Sequence, residues 1–111
     1  MAVVGEQFKN ATLEVKRAHI RRTAAQFGLA VTSETSGKHA AGSLHYKGRA
    51  IDVAGPASSM LKFFRAYEPL AARWMGVCEL FYDPAGAYDN GHKIPAIGGH
   101  GNHVHIGFDP P

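Results

Sequence analysis

Two histidine-bearing segments, about 50 residues apart, constrain this chain more than any other feature. The first is Ser43-Leu44-His45-Tyr46-Lys47-Gly48-Arg49-Ala50-Ile51-Asp52, and the second is His100-Gly101-Asn102-His103-Val104-His105. Four of the seven histidines fall within these two stretches. A catalytic zinc site takes three protein ligands from His, Asp, Glu or Cys and keeps a fourth position open. A His and an Asp from the first segment, completed by a His from the second, would supply that set. A fold that uses them must therefore bring the middle of the chain against its C-terminal end. Imidazoles with a single carboxylate suit zinc and not calcium, which prefers an oxygen-rich shell.

At 111 residues the chain is expected to form one domain, with its core over about 10–108. The closing Asp109-Pro110-Pro111 reads as the start of a linker, as in a domain cut from a longer chain. The single cysteine, Cys78, excludes an internal disulfide and a cysteine-rich zinc knot, and its apolar neighbours make it a buried thiol. No run approaches the roughly 20 apolar residues of a membrane span. The N-terminus lacks the basic, apolar and small-residue sections of a secretory signal, so another agent would deliver the protein to any target outside its cell. A net charge of +3 gives only weak affinity for anionic surfaces. Lys16, Arg17, Arg21 and Arg22 read as a solvated helix face, with docking onto an anionic cell-wall polymer as the alternative. Nucleic acid is not expected, because neither a recognition motif nor an aromatic stacking platform is present.

The pattern predicts an α+β domain: a small, mostly antiparallel sheet with two or three helices packed on it. Leu13, Ile20, Ala24 and Phe27 stripe a helix over about 10–27, with Asn10 or Thr12 as cap and Gly28 as stop. Strands are expected at 29–35, 50–53, 77–82 and 103–108. A second helix starts at Ser58 or Ser59 and is interrupted at Pro69. Residues 36–44 read as a loop, and 83–101, with five glycines and two prolines, as a long functional loop.

On a strand, His103 and His105 point to one side while Val104 faces the core. One would serve as a ligand and the other would reach the same cavity, with His100 folding over it from a glycine-rich turn. His45 and Asp52 flank Gly48, which fits a loop or bulge returning into a strand so that both face one ion. The zinc site is then expected on the open face of the sheet.

The pattern Ser43-x-His45-x-x-Gly48-x-Ala50-x-Asp52 also resembles, at every defined position, the signature of zinc D-Ala-D-Ala carboxypeptidases and the L-alanyl-D-glutamate endopeptidases of phage lysins. The His-x-His strand is shared with the wider lysostaphin, carboxypeptidase and hedgehog group. The stretch from Glu79-Leu80-Phe81-Tyr82-Asp83-Pro84 to Gly98-Gly99-His100 is similar to peptidase modules of phage lysins and tail tape-measure proteins. The resemblance covers roughly residues 30–108. It implies zinc (Zn2+) on His45, Asp52 and His105, with His100 as catalytic base and His103 orienting water or steadying the tetrahedral intermediate. It further implies a monomeric peptidase acting on peptidoglycan peptides, in a phage lysin or a virion. Relatives carry an arginine upstream of the Ser-x-His motif. Here Lys38, or Arg49 within the motif, would substitute, which favours an endopeptidase over a carboxypeptidase.

Glu79 is the alternative base. Tyr46 and Tyr82 are expected to line a substrate groove or to pack as aromatics. Asp83-Pro84 reads as a turn start, His92 and His19 as solvated residues, Trp74 as core, and His39 as a loop residue that could reach the cavity. The competing reading is a non-catalytic, zinc-stabilised binding module of the same fold.

Overall fold

The computed structural model describes residues 5–34 and 43–111. Their helices are α1 (Gly5–Asn10), α2 (Leu13–Gln26) and α3 (Ala57–Ala72). The strands are β1 (Ala30–Ser33), β2 (Ala50–Ala54), β3 (Val77–Tyr82), β4 (Gly86–Asp89), β5 (His92–Ile94) and β6 (Val104–Phe108). They form one sheet in the order β1-β2-β6-β3-β4-β5, with every neighbouring pair antiparallel. This is the expected α+β class.

Alternation along the strands sets what each face carries. Ile51 and Val53 of β2, Leu80 and Tyr82 of β3, and Val104, Ile106 and Phe108 of β6 enter the core. There they meet Ile20 and Ala24 of α2 and Phe63, Phe64, Tyr67 and Leu70 of α3. The residues between them, Asp52, Glu79, Phe81 and His105, belong to the opposite face. Pro69 does not interrupt α3, which runs on to Ala72. Phe63 and Phe64, both fully buried, contribute about 1.5–3 kcal/mol apiece, more than the ~1 kcal/mol of the one backbone hydrogen bond that proline cannot donate.

Several local expectations are corrected. The first helix divides at Ala11–Thr12, and Thr12 caps α2 by accepting from the Val15 N–H at 3.2 Å. The stretch 83–101 is not one long loop, because it contains the β4–β5 hairpin. Asn90 and Gly91 turn that hairpin with φ of 47° and 84°, the left-handed pair that a two-residue turn requires. His19 is a packing residue: its Nδ1 lies 2.7 Å from the Tyr67 hydroxyl and its ring stands edge-on to Phe8. Trp74 is half exposed rather than core, and its indole N–H donates to Asp109.

The basic face of the first helix is corrected as well. Lys16 is fully buried, its ammonium donating to the carbonyls of Lys9, Ala11 and Asp109 at 3.0, 2.9 and 2.6 Å. Arg17 donates to the Gly48 carbonyl at 2.7 Å, and Arg21 pairs with Glu34. Three of the four cations thus bind the chain's own groups. Cys78 is buried as expected, and burial, helped by the Asp109 and Glu79 carboxylates, pushes its thiol up to about 12. None of the described helices is long and apolar enough to cross a membrane.

Candidate metal centre

The Ser43–Asp52 segment folds so that its motif residues each have a local task. Leu44–Lys47 is a single 3-10 turn, with the Ser43 hydroxyl accepting from the His45 N–H at 3.3 Å. Gly48 closes it at φ 67°, a left-handed conformation that costs glycine nothing. The chain then enters β2, where Asp52 is paired in register with His105 of β6. His105 is in turn paired with Phe81 of β3. Asp52, His105 and Phe81 therefore form one row across the three central strands, and the turn brings His45 over it.

Three atoms converge there. His45 Nε2 lies 3.2 Å from His105 Nδ1 and 3.3 Å from Asp52 Oδ1, and His105 Nδ1 lies 3.1 Å from Asp52 Oδ1. His45 and His105 are buried, and the Asp52 side chain is 13% exposed. Tetrahedral zinc with ligands at 2.0–2.1 Å sets its ligand atoms about 3.3 Å apart, so the triangle has the dimensions such an ion requires.

The outer contacts of both imidazoles favour the same conclusion. The Nδ1–H of His45 donates to the Glu34 carbonyl at 2.6 Å, which fixes Nε2 as its lone-pair nitrogen. Nε2 of His105 donates to Glu79 Oε1 at 2.8 Å, which turns Nδ1 toward the centre. Gly107 makes room for that contact, since a Cβ there would stand 2.8 Å from Glu79 Oε1. Two nitrogen lone pairs and a carboxylate oxygen facing one another repel unless a cation or a proton lies among them. Outer hydrogen bonds of this kind accompany metal-binding histidines. The group can hold a metal ion.

Without a metal, protons take that place. Burial alone would lower His105, but Asp52 and Glu79 outweigh it and hold its imidazolium up to about 9. Burial would likewise raise Asp52, yet the His105 and His45 imidazoles beside it keep it well below the usual carboxylate range.

His100 and His103 lie beside the group, with ring centres 4.9 Å apart and His100 5.8 Å from His105. His103 precedes β6 instead of lying on it. The Nδ1–H of His100 donates to the Gly98 carbonyl at 2.8 Å, and that of His103 to Asn102 Oδ1 at 2.8 Å. Each ring is left with Nε2 as its basic nitrogen. Burial pushes His103 down, with the Asp52 carboxylate pulling the other way.

The expected substrate residues fare differently. Lys38 and His39 lie outside the described residues, as does the Tyr46 side chain. Arg49 donates to the Phe108 carbonyl at 2.9 Å and to Asp109 at 2.8 Å, so its guanidinium is committed to the C-terminal segment. Tyr82 is a core residue against Phe64, because strand parity turns it away from the site face. Its neighbour Phe81 occupies that face, stacked on His105 with ring centres 5.1 Å apart. The period-2 pattern of Val77–Tyr82 carried this signal: a strand that buries Leu80 and Tyr82 must show Glu79 and Phe81 on its other side. Glu79 touches His105 directly, an orienting contact for that ring.

No protein-family model, curated protein or solved structure matches this chain.

Proposed function

We propose that this chain is a zinc-dependent peptidase that hydrolyses a peptide bond in bacterial peptidoglycan, in the stem peptide or the cross-bridge. The observation that carries the reading is the donor triangle of His45, Asp52 and His105, with two further basic imidazole nitrogens beside it. A zinc ion held by the three supplies a Lewis acid that acidifies water and polarises a carbonyl. His100 Nε2 would then accept the proton of the attacking water and return it to the leaving amine, work suited to an imidazole with a bare nitrogen. His103, which burial pushes below its ordinary value, orients the water through its own Nε2. A purely structural zinc site is closed by four ligands, and the three-donor set found among the described residues, beside spare histidines, favours catalysis over a binding module.

The choice of peptidoglycan rests on the resemblance of Ser43–Asp52 to zinc carboxypeptidases and endopeptidases. The likeness of 79–100 to phage modules makes a lysin or virion-associated domain the preferred setting. The test pairs zinc content of the purified protein with release of muropeptides from purified peptidoglycan, with and without chelator. One zinc per chain and chelator-sensitive release of stem-peptide fragments are expected, and the fragment masses name the bond. Stoichiometric zinc with wall binding and no cleavage would replace the peptidase with the binding module.

A further inference from the structure

Glu79 and Phe81 sit on the candidate-site face of β3, and the alternation continues to Asp83, one residue beyond the strand. The Asp83 carboxylate accepts two backbone N–H groups of the 98–100 turn: Gly98 on Oδ1 at 3.1 Å and His100 on Oδ2 at 2.9 Å. The Asp83 N–H donates back to the His100 carbonyl at 2.9 Å. Asp83 thus grips both residues that fix the imidazole: the one that carries it, and the one whose carbonyl receives its Nδ1–H.

The His100 ring itself rests edge-on against Phe81, with ring centres 5.4 Å apart, but the backbone before it is little packed. Residues 95–99 are exposed, and Gly98 and Gly99, at φ 92° and 72°, have no atoms other than their chain neighbours' within 4 Å of where a Cβ would stand. A segment with so few packing contacts takes its order from hydrogen bonds, and those to an ionised carboxylate are the stronger kind.

We infer that Asp83 is a positioning residue for His100, holding its imidazole beside the His45–Asp52–His105 group with Nδ1 protonated and Nε2 bare. Its effect on turnover rests on the peptidase reading, whereas its effect on the ring does not. Asp83→Asn keeps one acceptor oxygen but sets an amide NH2 against one of the two N–H donors. Asp83→Ala removes both acceptors.

The test uses the full zinc-loaded chain and both variants. Its readouts are zinc per chain, the His100 tautomer by 15N NMR, and kcat and KM on a peptidoglycan stem peptide. The wild type is expected to show a single Nδ1–H tautomer. Both variants are expected to keep one zinc and show averaged His100 nitrogen shifts, with kcat down about 10- to 100-fold and KM within about threefold, the pattern of a misplaced catalytic group. Should Asp83→Ala not fold, Asp83→Asn carries the test. An unchanged tautomer in a folded variant overturns the inference. An averaged tautomer with undiminished kcat supports the clasp and removes His100 as base. If the wild type cleaves nothing, the peptidase reading fails and the NMR comparison still decides the clasp.

Discussion

Glu79 accepts the Nε2–H of His105 at 2.8 Å, and that contact decides which nitrogen of the ring faces Asp52 and His45. It also separates two roles for Glu79. As an orienting partner, Glu79→Gln should weaken zinc binding about 10- to 100-fold and restore turnover when zinc is saturating. As a base, the same change should leave affinity alone and abolish turnover. Zinc titration against a competing chelator, followed by assay at saturating metal, distinguishes them, and the first outcome is expected.

Removing His105 itself should be more severe. His105→Ala deletes one of three donors, so the expected result is loss of stoichiometric zinc together with activity, read by elemental analysis after dialysis. Retention of tightly bound zinc would sink the ligand assignment.

Zinc binding should depend on pH in a defined direction. The metal-free fold raises His105 from 6.5 to about 9, so its imidazolium adds stability in full below about 6.5, and that contribution is lost as pH rises through 9. Zinc needs the Nδ1 lone pair and must displace this proton. Apparent affinity should therefore climb by about tenfold per pH unit between 7 and 9, with proton release seen as a buffer-dependent heat in calorimetry. The thermal gap between zinc-loaded and metal-free protein should widen over the same range. A flat affinity across that window would count against His105 as a ligand.

His100→Ala should leave zinc in place and slow turnover by about 10²- to 10⁴-fold, the usual contribution of a positioned acid–base group. Undiminished turnover with His100→Ala, and its loss with His103→Ala, would move the base role to His103.

Away from the site, Lys16 ties α1 and the C-terminal segment to α2 through three carbonyls. Lys16→Met fills the volume but leaves those acceptors without their donor, at about 1–3 kcal/mol for each that stays buried. A loss of about 3 kcal/mol is expected, lowering the melting temperature by about 10 °C, with zinc content unchanged. A shift of only a degree or two would show that water replaces the ammonium.

How far each segment was legible depended on whether its signal was local. Alternation in Ala50–Ala54 and Val104–Phe108 placed Asp52 and His105 on one face, because strand parity is a property of neighbouring residues. The Asn90-Gly91 turn is an equally local feature, since only residues that tolerate positive φ close a two-residue hairpin. Tyr82 and Phe81 could have been told apart by the same parity once Leu80 was assigned to the core.

Other placements have no local signature. Lys16 is an ordinary helix lysine until Asp109, 93 residues away, closes over it. Trp74 stays half exposed because the chain turns at that residue, and Asp83 meets its partners only where the 98–100 turn returns to the end of β3.

By itself the sequence determined the fold class, the strand faces and the donor types available, since each follows from periodicity and side-chain chemistry. Tertiary structure decided the register that sets Asp52 against His105, the nitrogen each histidine presents, and the carboxylates that hold the rings. Those depend on groups far apart in the chain, and hydrogen bonds over such separations form only when packing has already fixed the backbone.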